Sequence, residues 1–121
     1  MGFNRFEDIL AWQKAKDLTL DLYRSFEGNR DFGYKDQIQR ASVSIMNNIA
    51  EGFERQTKKE FRQFLFVAKG SCAEVKSMLI LASELSYLNK EKSDLLASQV
   101  VEISKILSGL IKSIQEFIPA K

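Results

Sequence analysis

The residues of this chain that could carry chemistry are a few polar side chains at helical spacing. Asn48 falls on the apolar stripe of its segment, Glu51 lies one turn further on, and Glu74 interrupts an apolar stripe later in the chain. Two carboxylates and an amide near a helical interior could ligate a metal ion. The alternative is structural, because a buried Asn often fixes the register of a bundle and a buried Glu needs a partner. Arg40 is a candidate partner for either acid, so we expect these four residues to form a buried polar network.

The absence of histidine restricts the catalytic chemistry that is open to the chain. Its 121 residues include no His and a single Cys. This composition excludes Ser-His-Asp and Cys-His catalysis, His-containing zinc sites, the Glu-x-x-His di-iron bundle and an intrachain disulfide. Cys72 falls at a core position, where we expect a small buried hydrophobe rather than a reactive thiol. We therefore expect no enzymatic activity, no metal and no cofactor.

Four basic residues crowd the junction of the second and third predicted helices: Arg55, Lys58, Lys59 and Arg62. The positive end of the third helix dipole lies at the same place and favours anions. Glu54 and Glu60 dilute the cluster, and a formal net charge of +2 is a weak electrostatic footprint for nucleic acid. The cluster is either a phosphate-binding site for RNA or DNA or an ordinary solvated helix end.

A further stripe on the third predicted helix faces away from the core and consists of Phe66, Gly70, Ala73 and Ser77. A glycine inside a helix costs about 1 kcal/mol relative to alanine, so Gly70 indicates close approach by another backbone. The stripe therefore predicts a contact surface for self-association. The alternative is that a loop, or the N-terminal segment with Phe3 and Phe6, covers it.

The spacing of the apolar residues predicts four helices, and these helices must position the residues described above. Apolar residues recur at steps of three and four over residues 9–26, 34–54, 58–86 and 90–118, as in amphipathic helices. Short loops join the segments, a capping box from Thr57 to Glu60 opens the third helix, and Pro119 ends the fourth. We therefore predict an all-α fold in one domain, residues 1–121, as an antiparallel up-down-up-down four-helix bundle.

No segment indicates export or insertion into a membrane. The N-terminal residues carry acids early, and the longest apolar runs are far shorter than the roughly 20 residues that span a bilayer. Together with a free cysteine, this favours a cytoplasmic protein with no membrane partner.

Three segments resemble one protein family. Residues 6–15 (FEDILAWQKA), 37–53 (QIQRASVSIMNNIAEGF) and 64–74 (FLFVAKGSCAE) resemble, in the same order, the four-helix-bundle proteins encoded in intervening sequences of bacterial 23S ribosomal RNA genes. The Asn-Ile-Ala-Glu-Gly and Ala-Lys-Gly-Ser-x-x-Glu segments are the specific elements. The chain departs from the family pattern at two positions, since Gln39 replaces the first arginine of an Arg-Arg pair and Met46 stands where proline is common.

The resemblance implies a bundle that assembles into homo-oligomeric rings, typically pentamers. Similar accessory proteins of diversity-generating retroelements are basic rings that work with a reverse transcriptase and RNA, whereas no enzymatic activity is implied. The family's shared polar positions correspond to Arg40, Asn48, Glu51 and Glu74. Two functions stay open: an oligomeric nucleic-acid-associated adaptor, or an interaction or structural module whose only ligand is protein, a reverse transcriptase among the candidates.

Overall fold

The computed structural model describes residues 2–118, and these residues form four α-helices. The helices are α1 (Leu10–Ser25), α2 (Phe32–Phe53), α3 (Lys58–Glu84) and α4 (Lys90–Gln115), and a single 3-10 turn, Phe6–Asp8, precedes them. The predicted bounds agree with these to within three residues. Pro119, which was predicted to end the fourth helix, lies outside the described residues; α4 already ends at Gln115.

Three of the helices begin at a capping side chain. Asp31 Oδ1 accepts a hydrogen bond from the Tyr34 backbone N–H at 3.1 Å, and Asn89 caps α4 in the same way at 2.7 Å. Of the capping box predicted for α3, the first half is present, since Thr57 Oγ1 accepts from the Glu60 N–H at 3.1 Å. The Glu60 carboxylate accepts from the Thr57 hydroxyl, also at 3.1 Å, instead of from the Thr57 backbone N–H. These bonds satisfy N–H groups that have no partner inside the helix, and they fix where each helix begins.

The helices pack around one hydrophobic core as a four-helix bundle. Each helix contacts the next along the chain, and α4 returns to contact α1. Loops of four to six residues make consecutive helices antiparallel, which gives the up-down-up-down topology. On α1 the buried positions include Ala15, Leu18 and Leu22, at steps of three and four. The predicted all-α bundle is confirmed. In the described part of the chain, no helix has the length and apolar character needed to cross a bilayer.

Gly52 lets α2 and α3 approach closely near their shared loop. A Cβ atom built on Gly52 would lie 2.6 Å from Phe64 Cβ and 3.0 Å from Phe61 Cδ1, so no side chain fits without displacing a neighbour. At Gly70 the same construction finds no atom within 4 Å. Within the chain, therefore, the close backbone approach lies at Gly52, and the approach predicted at Gly70 stays a prediction about a second subunit.

Aromatic side chains hold two loops together at one end of the bundle. The ring of Phe26, at the end of α1, lies 5.4 Å from that of Tyr34, which in turn lies 5.1 Å from the ring of Tyr87. The Tyr87 hydroxyl donates to the Asp31 carboxylate and lowers the pKa of Asp31. The Tyr34 hydroxyl donates to the Met78 carbonyl, and burial raises the pKa of Tyr34 to about 12. The loop before α2 and the loop after α3 are thereby joined.

Candidate functional site

The four polar residues singled out in the sequence do not form a buried network. Arg40, Glu51 and Glu74 are exposed. Arg40 Nε donates to Asp36 at 2.8 Å, and Arg55 donates to Glu51 at 3.0 Å, both within α2 or just after its end. The prediction is wrong because Arg40 and Glu51 each find an opposite charge four residues away, where both partners stay in water.

A polar seam lies instead along the contact between α2 and α3, and consists of Gln37, Ser44, Asn48, Ser71 and Glu74. The hydroxyls of Ser44 and Ser71 are 2.8 Å apart, and Asn48 Nδ2 donates to the Ser44 carbonyl at 2.8 Å. Gln37 Nε2 donates to Glu74 at 3.4 Å. Asn48 is half-buried, less than its place on the apolar stripe predicted. The Ser44–Ser71 and Gln37–Glu74 bonds join α2 to α3 and contribute to how the two helices align, whereas the Asn48 bond lies within α2.

Cys72 is a packing residue. Its side chain lies in the core at 1% exposure, and burial raises the pKa of the thiol to about 12, against a smaller opposing effect of Lys69. The thiol is therefore uncharged at neutral pH and is a poor nucleophile. Among residues 2–118, no group of three or more acidic and cysteine side chains is placed to hold a metal ion.

The cations predicted at the α2–α3 junction all lie at the surface, and Arg55, Lys58, Lys59 and Arg62 are called the junction cluster below. Lys58 and Lys59 are exposed in the first turn of α3, and Arg62 is half-buried one turn further on. Lys58 Nζ lies 5.8 Å from the ring centroid of Phe117, in cation–π range. The carboxylate of Glu60 is engaged in the capping box, so it does not screen these cations by a direct ion pair.

Arg55 is the most restrained member of the junction cluster. Its guanidinium lies 3.0 Å from the Glu51 carboxylate and 4.8 Å from the ring centroid of Phe64. The ion pair partly neutralises its charge, and the ring contact limits its reach. The charge available to an incoming anion at this junction therefore comes mainly from Lys58, Lys59 and Arg62.

The predicted contact stripe on α3 is exposed along its whole length, and Phe66, Gly70, Ala73 and Ser77 are called the outer face of α3 below. Phe66 is 52% exposed. The N-terminal segment does not cover this face, because Phe3 and Phe6 pack against the core and the Phe6 ring lies 5.2 Å from that of Trp12 on α1. The alternative that the N-terminus covers the stripe is therefore wrong. Sequence analysis missed Ile80, which continues the stripe three residues beyond Ser77 and is 57% exposed.

Comparison with known proteins identifies the family. The family model described as 23S rRNA-intervening sequence protein matches residues 7–109. The chain belongs to this family. A crystal structure of a protein with unknown function from the S23 ribosomal protein family of Bacteroides thetaiotaomicron has the same fold, with a TM-score of 0.80 and 24% sequence identity over 85% of this chain and 99% of that chain. No curated protein matches the chain. The resemblance inferred from the three segments is confirmed.

In this 23S rRNA-intervening sequence protein, three of the four polar positions that the resemblance assigned to the family, Arg40, Asn48 and Glu51, lie on α2, and the fourth, Glu74, lies on α3. Gln37, Arg40, Ser44, Asn48 and Glu51 follow at steps of three, four, four and three, so they share one face of α2. Three of them, Gln37, Ser44 and Asn48, belong to the polar seam with α3. These positions therefore form a polar surface strip beside the α2–α3 contact rather than a core.

Proposed function

We propose that this chain is a self-associating bundle protein without enzymatic activity that serves as a nucleic-acid-associated adaptor. The observation that carries the proposal is the exposure of Lys58 and Lys59 in the first turn of α3, with Arg62 one turn on. At this point the helix dipole and the cations attract the same ligand, an anion such as a phosphate group. Phosphate contacts carry no sequence information, so we expect sequence-tolerant binding to RNA or DNA.

One copy of the junction cluster is a weak site. The formal net charge of the chain is only +2, and Arg55 already has a carboxylate partner. Repetition of the cluster in a homo-oligomer would raise the apparent affinity about 100-fold or more without a new contact. The outer face of α3 supports such assembly, because Phe66 and Ile80 are exposed on it and exposed apolar patches favour protein contacts. A ring, which the resemblance implies, would repeat the cluster at regular intervals.

The nucleic-acid part of the proposal is tested by fluorescence anisotropy with a labelled single-stranded RNA. We expect binding that weakens steeply between about 50 and 200 mM salt, because phosphate contacts release counterions. The variant Lys58→Glu with Lys59→Glu should bind at least about tenfold more weakly, since two contacts become two repulsions. The matched control is Lys35→Glu with Lys92→Glu, which changes the net charge equally at the opposite end of the bundle. Absence of binding even at low ionic strength would contradict the proposal.

The second candidate is a module whose only ligand is protein, and the exposure of the outer face of α3 favours it as well. In that case self-association persists while RNA binding is absent. Both candidate functions therefore predict an oligomer, and only the adaptor predicts binding to RNA.

Self-association is tested by light scattering of the purified protein. We expect more than one subunit for the native chain and a shift toward monomer for Gly70→Leu, because the added side chain stands in the middle of the outer face. No atom lies within 4 Å of the Cβ position of Gly70, so the fold accommodates the change. Gly109→Leu on α4, where the Cβ position is equally open, is the matched control. A native chain that is monomeric at tens of micromolar, roughly the range of weak association, would contradict this expectation.

A further inference from the structure

A second concentration of positive charge lies in a groove of about 370 Å³ between α3 and α4. Three lysines line the groove, Lys69 and Lys76 from α3 and Lys105 from α4. The nine described residues around it include no aspartate or glutamate. Lys69 Nζ donates to Ser108 Oγ at 2.7 Å, a neutral partner that leaves its charge uncompensated. Among residues 2–118, none of the three lysines lies within 4.0 Å of a carboxylate oxygen.

Basic residues recur at regular spacing on both helices that form this groove. Arg62, Lys69 and Lys76 are seven residues apart on α3, and Lys105 and Lys112 are seven apart on α4. Seven residues are close to two helical turns, so each set recurs on one side of its helix at intervals of about 10.5 Å. Lys69, Lys76 and Lys105 line the two walls of the groove, and the spacing places Arg62 and Lys112 in the same two rows beyond it.

The hydrogen bond between Lys69 and Ser108 joins the two helices across the groove. Lys69 and Lys76 on one wall therefore face Lys105 on the other, and the three cations share one groove.

We propose that the α3–α4 groove binds the phosphate backbone of a single nucleic-acid strand, with Lys69, Lys76 and Lys105 as its central contacts. This inference rests on the proposed function and deepens it, because Arg62 belongs both to the junction cluster and to the row. A single strand carries one negative charge per nucleotide and is flexible enough to follow a cationic groove. The strand would pass from the start of α3 along the helix for about 21 Å.

The floor of the groove distinguishes this ligand from an acidic protein helix. A helix that docks in a groove inserts large apolar side chains into pockets. Here the residues between the lysines are small: Cys72, Ala73, Val100, Val101 and Ser104. Cys72 and Val100 are buried, so only Ala73, Val101 and Ser104 offer shallow contact for sugars and bases. A second copy of this chain is the alternative occupant of the groove, because acidic residues line a cleft between its α1 and α4. The experiment must distinguish this occupant from a nucleic-acid strand.

The experiment is lysine footprinting, in which acylation of each lysine is measured by mass spectrometry with and without a single-stranded oligonucleotide of about 16 nucleotides. We expect the oligonucleotide to reduce acylation of Lys69, Lys76 and Lys105 several-fold, while Lys16 on α1 and Lys35 on α2 react unchanged. Binding with protection confined to Lys58 and Lys59 would overturn the groove while the proposed function stands. If the oligonucleotide does not bind at low salt, the proposed function itself fails.

A matched pair of variants gives a quantitative second readout. Replacing two phosphate contacts by neutral side chains in Lys69→Gln with Lys105→Gln should make the slope of log K against log salt shallower by about 1.4. Lys16→Gln with Lys35→Gln has the same net charge and should leave the slope unchanged. The proposal is overturned if the groove lysines are protected by polyglutamate but not by the oligonucleotide. It is also overturned if the groove variant dissociates an oligomer, because a second copy then fills the groove.

Discussion

Replacing Gly52 with alanine is expected to destabilise the bundle by about 3 kcal/mol. The new Cβ atom would lie 2.6 Å from Phe64 Cβ, an atom bonded directly to the α3 backbone, which no rotamer change can move away. The two helices must therefore separate, and their separation loosens the core on both sides of the contact. Chemical denaturation followed by far-UV circular dichroism measures the loss as a lower free energy of unfolding.

Gly70→Ala is the matched control, with the opposite expected sign. Nothing lies within 4 Å of its Cβ position, and alanine is favoured over glycine inside a helix by up to about 1 kcal/mol. The same substitution at two glycines of neighbouring helices should therefore stabilise at one and destabilise at the other. If both variants shifted the free energy of unfolding in the same direction, the close approach at Gly52 would not be the controlling contact.

Truncating Phe26 to alanine is expected to cost about 3 to 5 kcal/mol, the range for a buried aromatic ring. Phe26 is 1% exposed, and its ring packs 5.4 Å from that of Tyr34, so its removal leaves a cavity beneath the joined loops. The same denaturation measurement detects the loss.

Phe32→Ala provides the comparison for this substitution. Phe32 follows the same loop but is 69% exposed, and its change should lie within about 0.5 kcal/mol of the native chain. A loss at Phe26 no greater than that at Phe32 would show that the aromatic contacts do not anchor this end of the bundle.

Features set by local spacing could be predicted from the sequence, and features set by the partner helix could not. The four helices follow from apolar residues that recur at steps of three and four. The N-terminal cap of α3 follows from a contact between Thr57 and Glu60, which are three positions apart in the sequence. The absence of a buried network was also foreseeable. The sequence contains Asp36 four residues before Arg40 and Glu51 four residues before Arg55, and both pairs satisfy their charges at the surface.

The roles of the glycines and lysines required knowledge of how neighbouring helices align. A helical wheel assigns Gly52 and Gly70 each to one face of its helix. It does not tell which of these faces lies against the backbone of another helix. Likewise, Lys69 and Lys105 are 36 residues apart in the sequence, and only the register of α3 against α4 brings them to one groove. Non-local alignment of this kind leaves no periodic signal in a single sequence.

The cleft between α1 and α4 has a consequence for the electrostatic field around the chain. Asp17 and Asp21 line this cleft on one side of α4, together with Glu102, which pairs with Lys14 at 2.6 Å. Lys69, Lys76 and Lys105 line the groove on the other side. Opposite charges on two sides of one helix give the molecule a dipole moment that a net charge of +2 does not express. In the field of a polyanion, such a dipole would turn the basic side of the chain toward it, and salt would weaken this orientation by screening the field.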